Sequence, residues 1–315
     1  MLKYAVKRLL QSVVTLFVVI TVVFLALRLM PVEGYFDPLV FDKLSEEQIQ
    51  DHLDRLGLND PMVVQLGRFY KNLLHGDLGI STRYQKNVAV TEIIAPKIPY
   101  SLYFGLASLA VALILGVPLG MMMANDKGGW GDHIGTGYIV LMRAVPAAVY
   151  YILIQVFVSG WFHIPMIFDL GNSKSWILPL ICMSIGGIAS YAMWTRRYMV
   201  DELNRDYIKL AVAKGMKHSE VMRKHVIRNA FVPIVQYLPS SILFTISGSI
   251  YAEQMFAIPG MGGLLITAIN VQDNNLVQAL VLIYSTIGIL GLFLGDLMMG
   301  VLDPRIKFSK SGGVR

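Results

Sequence analysis

Residues 100–123 read YSLYFGLASLAVALILGVPLGMMM, a run of 24 positions without one charged side chain. A bilayer core about 30 Å thick is crossed by a helix of about 20 residues. The run is long enough to cross it. Its apolar residues form one block and do not alternate with polar ones, as they would in a strand of a membrane barrel. We therefore predict a transmembrane helix at Tyr100–Met123.

Five similar blocks lie on either side of this run, and each predicts a further membrane span. The first of them is too long for the apolar core of a signal peptide and is followed by no small-residue cleavage site, so we expect it to be retained. The sequence thus predicts six spans. The five further blocks are Leu9–Met30, Tyr138–Val158, Trp176–Trp194, Val232–Tyr251 and Leu276–Met299.

The overall composition agrees with a helical membrane protein. Of 315 residues, 55% are hydrophobic and 15% are charged, and the mean hydropathy is +0.57. Soluble domains carry about 25% charged residues, so a disordered chain and a typical soluble enzyme are both disfavoured. The single cysteine, Cys182, excludes an internal disulfide. The predicted fold class is an all-α polytopic membrane protein.

Basic residues give the predicted orientation. The N-terminus, the 124–137 loop, the 195–231 loop and the C-terminal tail together hold seventeen Lys and Arg residues, and six spans place all four on one side. The positive-inside rule makes that side the cytoplasm, with both termini inside. The net charge of +6 is therefore explained by the membrane, and no nucleic-acid partner is expected.

The spans divide the chain into predicted regions. Residues 1–30 hold the N-terminal segment and first span, 31–99 an extracellular cap, 100–302 a five-helix core, and 303–315 a cytoplasmic tail. In the cap we predict helices at Leu44–Leu56, capped by Ser45, and at Pro61–Leu74. The external stretch 252–275 contains an apolar piece, Gly262–Ile269, that is too short to span and is predicted to be re-entrant.

The loop 195–231 between the fourth and fifth spans is the most informative segment. It has nine basic and four acidic residues, and its spacing predicts two short helices that meet at Gly215. Such an element is shaped to contact a cytoplasmic partner; the alternative is a solvated basic loop on anionic lipid. The predicted faces are Tyr207, Leu210, Ala211 and Lys214 on the first helix, and Met222, His225, Val226 and Asn229 on the second.

Residues that would carry chemistry are missing. The sequence has no G-x-x-x-x-G-K-[ST], H-E-x-x-H or G-x-S-x-G, and His75 and Asp77 complete no metal-ligand set. Catalysis and a metal site are therefore not expected. The charges Arg28, Arg143 and Asp296 lie near predicted span ends, where snorkelling explains them, and this weakens the interpretation as a secondary carrier.

Two stretches of the basic loop carry a family resemblance. They are DYIKLAVAKG at 206–215 and HVIRNAFVP at 225–233. The chain resembles the permease subunit of type I ABC importers of the oligopeptide/dipeptide/nickel group, whose coupling motif is Glu-Ala-Ala, three residues, then Gly. Lys209 and Leu210 replace the first two motif positions, and a basic first residue is typical of the peptide branch. Further matching pieces are LGLNDP at 56–61, GDLG at 76–79, the segment 253–262 and Asp303-Pro304-Arg305.

The resemblance implies a pore built with a second permease. Two cytoplasmic ATPase subunits would bind ATP and Mg, so this chain needs no cofactor, and a substrate-binding protein or lipoprotein would deliver the ligand outside. The implied location is the bacterial or archaeal plasma membrane. An oligopeptide is the expected substrate, with dipeptides, nickel or oligosaccharides as alternatives. A secondary carrier and a membrane scaffold remain as alternative classes.

The resemblance also implies which residues act. Contact with the ATPases is expected at Ala211 and Gly215, which allow close approach, and along a basic face. Residues Tyr150, Tyr151 and Gln155 of the third span are candidates for the translocation path, although packing and interfacial positions explain them equally. The complete predicted coupling set is Lys209, Ala211, Lys214, Gly215 and His225.

Overall fold

The computed structural model describes residues 2–29, 32–36, 38–246 and 250–302. These residues fold into helices that are connected mostly by short turns. In chain order the helices are α1 Leu2–Arg28, α2 Pro38–Phe41, α3 Glu46–Arg55, α4 Met62–Leu74, α5 Val90–Ile94, α6 Ile98–Asn125, α7 Trp130–Ala144, α8 Ala147–Phe162, α9 Ile177–Leu203, α10 Asp206–Ala213, α11 His218–Val221, α12 Ile227–Ile246, α13 Ile250–Met255, α14 Met261–Asn270 and α15 Asn274–Leu302.

Four helical segments in the described residues are long and apolar enough to cross a membrane. They agree with the predicted first, second, fourth and sixth spans, which confirms a helical membrane protein. Residues 303–315, which include the predicted tail and Asp303-Pro304-Arg305, lie outside the described residues. The four segments are Ala5–Arg28, Val90–Asn125, Ser173–Leu203 and Asn274–Met298.

The predicted third span, Tyr138–Val158, is wrong as a single helix. It straddles α7 and α8, which meet at an angle of 107° and together qualify as a possible fifth span. The break lies at Val145, whose backbone is extended, and Pro146. Proline has no N–H to continue the helix and pushes the preceding residue out of the helical region.

The predicted fifth span, Val232–Tyr251, overlaps α12 and α13. Residues 247–249 between the two helices lie outside the described residues. Neither helix is among the four segments identified as long and apolar enough to cross a membrane. The number of six spans therefore stays a prediction.

Helices α6 and α9 pack along much of their length through glycine. A Cβ atom at Gly116 would lie 2.6 Å from the carbonyl oxygen of Ile188, and one at Gly120 would clash with that of Ala192. Small residues allow such close contact where lipid supplies no hydrophobic drive. This contact places α9, from which the basic loop leaves, firmly against α6.

Helix α15 packs against both α12 and α1. Ser240 of α12 donates a hydrogen bond to the carbonyl of Gly291, at 2.6 Å. Asp296 forms an ion pair with Arg8 of α1, at 3.2 Å, and both side chains stay partly exposed. The pair gives the charge of Asp296 a partner, and its predicted snorkelling stays a prediction.

The predicted helices of the cap are confirmed. Ser45 caps α3 in a reciprocal capping box with Gln48, and α4 begins directly after Pro61. The cap contacts α1 through stacked rings of Phe17 and Tyr70, whose centroids are 5.0 Å apart. The cap is thus part of the helical body.

A buried carboxylate joins the cap to the start of α15. Asp273 is fully buried and accepts hydrogen bonds from the Ser81 hydroxyl at 2.5 Å and from the Leu276 N–H at 3.1 Å. The backbone N–H groups of Thr82, Arg83 and Tyr84 also point at Asp273, at 3.0–3.1 Å. Five donors thus bind one carboxylate, and charge-assisted hydrogen bonds of this kind are strong.

The apolar piece predicted at Gly262–Ile269 is helical and forms most of α14. Glu253 of α13 accepts hydrogen bonds from the N–H groups of Gly262 and Gly263 at the start of α14, and from the Ser101 hydroxyl of α6. Burial raises the pKa of Glu253, and these three hydrogen bonds oppose the rise. The carboxyl group therefore ties α14 to α6.

Candidate coupling surface

The first predicted short helix and the bend at Gly215 are confirmed, whereas the second helix is not separate and continues through the turn Met222–Val226 into α12. Helices α10 and α11, called the hairpin here (residues 206–221), are separated by a turn at Gly215, whose φ is +86°. The N–H of Gly215 bonds to the carbonyl of Val212 and that of Met216 to the carbonyl of Ala211, at 2.9 and 3.2 Å. A positive φ suits glycine because it has no Cβ.

One side of the hairpin, its inner face, packs into the chain's own core. Ile208 and Ala211 of α10 are buried, as is Val221 of α11. They belong to a cluster that also includes residues of the three neighbouring long helices. The inner face is therefore fixed to the membrane helices. The other members are Ala124 of α6, Met199 of α9, Met222, Val226, and Ala230 of α12.

The remaining surface of the hairpin, called the outer face, is uncovered and includes aliphatic side chains among its charged ones. Leu210 is 56% exposed and Val212 is 55% exposed. Gly215 stands in open space, since no atom lies within 4 Å of where its Cβ would be. Exposed aliphatic side chains on a basic loop are the feature that a partner surface would cover.

The charges around this outer face are partly paired. Lys209 contacts Asp206 at 2.8 Å, and Lys224 contacts Glu220 at 2.5 Å. The hydrogen bonds from these lysines lower the pKa of Asp206 and of Glu220. Both pairs are solvent-exposed, so they contribute little to stability.

A three-residue polar network fastens the base of the hairpin. Asn229 Nδ2 of α12 donates to Tyr207 Oη at 2.7 Å and to Glu202 Oε1 of α9 at 3.0 Å. Tyr207 also donates its hydroxyl hydrogen to Glu202. Partial burial and this bond raise the pKa of Tyr207, so the phenol stays a neutral donor. The network links α9, α10 and α12 through side chains alone.

Two histidines hold the hairpin to its surroundings. His218, the first residue of α11, shares a hydrogen bond of 3.0 Å with Asn125 at the end of α6. His225 packs its ring edge-on against Tyr207, with centroids 6.2 Å apart. His225 lies in a π-helical turn, Met222–Val226, that runs directly into α12. The second helix of the loop is thus continuous with a long helix.

An ion pair braces the same end of the helical body. Arg196 of α9 binds Asp132 of α7 through two side-chain contacts, one of them between Nη2 and Oδ2 at 2.6 Å. Asp132 is 4% exposed and also accepts the Gly128 N–H at 3.0 Å. Because α9 carries the hairpin, this pair fixes the hairpin relative to α7.

The predicted coupling residues divide between the two faces. Lys209, Lys214 and Gly215 are exposed, and His225 is half-buried. Ala211 is buried among its own chain's side chains, so its methyl group packs inward, and its contact with a partner stays a prediction. Of the predicted face, Tyr207, Leu210 and Lys214 are exposed and Ala211 is buried. Ile208, not Tyr207 or Leu210, shares the buried side of α10 with Ala211.

The predicted translocation residues are engaged within the chain. Tyr151 is buried in a cluster with Phe104 and Cys182. Gln155 donates to the carbonyl of Met166 at 2.8 Å. Tyr150 packs edge-on against the ring of Tyr151. Their role in translocation stays a prediction.

Sequence reasoning misses Glu202 and does not connect Tyr207 with Asn229. Both of the latter lie on predicted helix faces, but Asn229 is 22 positions from Tyr207 and 27 from Glu202 in the sequence. Alternation of polar and apolar residues gives no sign of such pairs. Among the described residues no three His, Cys, Asp or Glu side chains form a metal-binding group.

Comparison with known proteins identifies the family. Residues 116–308 match the family described as binding-protein-dependent transport system inner membrane component. The oligopeptide transport system permease protein OppB of Haemophilus influenzae is 30% identical over 312 residues, which cover 98% of this chain and 100% of OppB. The dipeptide transport system permease protein DppB of Bacillus subtilis is 30% identical over 320 residues, covering 99% and 100%.

Two further matches cover a smaller part of this chain. The oligopeptide transport system permease protein AmiC of Streptococcus pneumoniae is 36% identical over 212 residues, and the match spans 66% of this chain but 42% of AmiC. A chain of the MetNI methionine ABC transporter in inward-facing conformations has a TM-score of 0.50 at 14% identity, covering 68% of this chain and 97% of its own. That likeness concerns the fold alone.

The family match covers the hairpin, its network and the helices that hold them, and the full-length relatives add the cap and α1. The chain therefore belongs to the binding-protein-dependent inner membrane components, as a type I ABC importer permease of the peptide family.

Proposed function

We propose that the chain is one of two pore-forming subunits of an ATP-driven oligopeptide importer, and that separate ATPase subunits move it through the hairpin. The observation that carries the proposal is the division of the hairpin into two faces. Ile208 and Ala211 are buried against the membrane helices, whereas Leu210 and Val212 are more than half exposed. A transmitting element needs one face fixed to what it moves and another open to what drives it.

The proposed topology has six spans, with both termini and the hairpin in the cytoplasm. Four long segments and the bent α7–α8 pair supply five crossings, and α12 supplies the sixth. The seventeen basic residues on the side of the hairpin support this orientation. The cap and the 252–275 segment then face outward.

The proposed partners follow from what this chain lacks and what its family does. The sequence contains no phosphate-binding P-loop, so nucleotide would be bound by two ATPase subunits, with Mg and ATP held there. A second permease completes the pore, and an external binding protein delivers the peptide to the cap side. The membrane is the plasma membrane of a bacterium or archaeon.

Alternating access is the proposed mechanism. ATP binding brings the ATPases together and shifts the outer face of each hairpin. The inner face carries this shift into α6, α9 and α12, because all three contribute to its core cluster. The pore then exchanges an inward-open state for an outward-open one. Peptide changes the balance only by its different affinity for the two states.

Placing a charge on the outer face tests the proposal. Leu210→Asp would put a carboxylate where an apolar contact is expected, at a cost of about 2 kcal/mol if Leu210 is a central contact. ATPase binding should weaken about thirty-fold, measured by co-purification from detergent extracts. The matched control is Val63→Asp in α4, which is 81% exposed and lies in the cap.

The outcomes separate the classes of function. Unchanged ATPase binding in Leu210→Asp would contradict coupling through this face. Uptake by purified permeases without any ATPase would establish a secondary carrier. Absence of uptake, together with co-purification of a partner that is not an ATPase, would establish a scaffold. Competition by unlabelled dipeptide, nickel or oligosaccharide against labelled oligopeptide distinguishes the substrate alternatives.

A further inference from the structure

A groove between α9 and α12 has no role in the function described so far. Its volume is about 310 Å³, within the range of about 300–1,000 Å³ typical of small-molecule sites. Four aromatic and two serine side chains make up most of its wall. They are Ser190, Tyr191, Trp194, Tyr198, Tyr237 and Ser241.

The serine hydroxyl groups of this groove belong to α9 and α12, and Ser190 is exposed. Ser190 is the central residue of α9, about 20 Å along the helix from Ile177. Tyr191 donates its hydroxyl hydrogen to Ser241 of α12 at 3.0 Å. Lipid offers such groups no hydrogen-bond partner. These hydroxyls already bond within the chain, Ser190 to the carbonyl of Gly186 at 3.0 Å, and each oxygen can accept a further hydrogen bond.

The aromatic residues supply flat apolar surface. Trp194 and Tyr198 stack with ring centroids 5.6 Å apart, and Tyr237 is 63% exposed. Stacking surfaces of this kind accept many side chains with little selectivity. Hydroxyl groups beside them can bond to the N–H and C=O groups that every peptide carries.

Charge is absent from the described residues that line the groove. A cation beside it, Arg197, lies over the Trp194 ring at 5.4 Å. A wall without ionised groups neither selects nor repels a peptide by its charge. This wall suits a ligand recognised through its main chain and not through particular side chains.

We propose that the α9–α12 groove is the part of the translocation path along which the main chain of the transported peptide lies. This inference rests on the proposed function and assigns a place to its substrate. It also replaces the sequence-based candidates, since Tyr151 and Gln155 are engaged in internal packing and hydrogen bonding.

Thiol labelling tests the groove directly. Cys182 is the single cysteine of this chain and is fully buried, so Cys182→Ala leaves this chain without a thiol. In that background Ser190→Cys and Ser241→Cys, assembled in the full transporter, should react with a charged methanethiosulfonate. The matched control is Ile114→Cys in α6, which is 68% exposed and should react at least ten-fold more slowly because lipid covers it.

Bound peptide should protect the groove cysteines from labelling. Addition of an unlabelled oligopeptide of four to six residues, at about ten times its half-saturating concentration, should slow labelling of Ser190→Cys several-fold. Ile114→Cys should not respond. Serine to cysteine changes one atom, so both groove variants are expected to assemble and their labelling can be read.

Either of two results would overturn the inference. One is that both groove cysteines resist the charged reagent but react with a membrane-permeant maleimide. The other is that peptide leaves the labelling of both groove cysteines unchanged. Failure of the proposed function gives a different result. The unmodified assembly would then show no ATP-dependent uptake, whether or not the groove cysteines are labelled.

Discussion

Gly215 combines a backbone conformation that few side chains adopt with free space around it. Its φ is +86°, and no atom lies within 4 Å of the position that a Cβ would take. A substitution there therefore meets a conformational cost, and any steric effect must come from a partner. Asparagine tolerates the left-handed region better than other side chains.

Two substitutions at Gly215 therefore have different expected effects on uptake. We expect Gly215→Asn to retain most of the uptake. Gly215→Trp should insert normally into the membrane but lose at least ten-fold in uptake of labelled peptide, while ATP hydrolysis continues, because the indole would enlarge the surface that a partner contacts. Equal loss in both variants would show that the turn itself, and not its surface, is required.

Tyr207 is the central member of the polar network at the hairpin base. Tyr207→Phe removes the hydroxyl that donates to Glu202 and accepts from Asn229, at a cost of about 1 kcal/mol. We expect peptide transported per ATP hydrolysed to fall about five-fold. The measurement is a ratio, so it does not depend on expression level.

The control for Tyr207 is the same chemical change in the cap. Tyr70 bonds to Thr21 and to the carbonyl of Phe17, away from the hairpin. Tyr70→Phe should leave the transport ratio unchanged. An unchanged ratio in Tyr207→Phe as well would mean that the network is structural only.

Asp273 links two elements that are far apart in sequence, the 81–84 turn of the cap and the start of α15. Asp273→Ala removes the acceptor shared by five donors. Amide hydrogen exchange at 82–84 should accelerate at least ten-fold, since protection reports the free energy of local opening. Exchange in α10 provides the internal reference and should not change.

The helices show what sequence patterns do and do not reveal. Long apolar runs such as Tyr100–Met123 are predicted well, because length and hydropathy are local properties. The break at Pro146 is visible as a proline, but a proline in a membrane helix is equally compatible with a tolerated kink. Whether a freed carbonyl is satisfied by a neighbour depends on packing, and the run around Pro146 does not record that packing.

The candidate site shows the same limit at the side-chain level. The turn at Gly215 and the helix before it are predictable, since glycine and helix spacing are local signals. The sequence does not tell which side of α10 is buried, because Tyr207, Leu210 and Ile208 are all apolar enough to be buried. Only the position of α10 against α9 and α12 selects Ile208.

Packed side chains connect the cap end of the molecule with the hairpin end. At one end Asp273 and Glu253 fasten the cap and α14 to the long helices. At the other end the hairpin shares a core with α6, α9 and α12. Close-packed cores transmit displacement and deform little. We therefore expect the hairpin to move together with these helices as one body during transport.

A cross-link between the hairpin and α6 tests this rigid-body expectation. Asn125 and His218 are joined by a hydrogen bond of 3.0 Å, so cysteines at both positions, in a Cys182→Ala background, can be bridged by a short bifunctional methanethiosulfonate. If the hairpin and α6 move together, the bridged protein keeps most of its ATP-driven uptake. The same variant treated with a monofunctional reagent controls for loss of the two side chains. Uptake that is blocked only by the bridge, and restored by reductant, would show that the hairpin swings against α6 during each cycle.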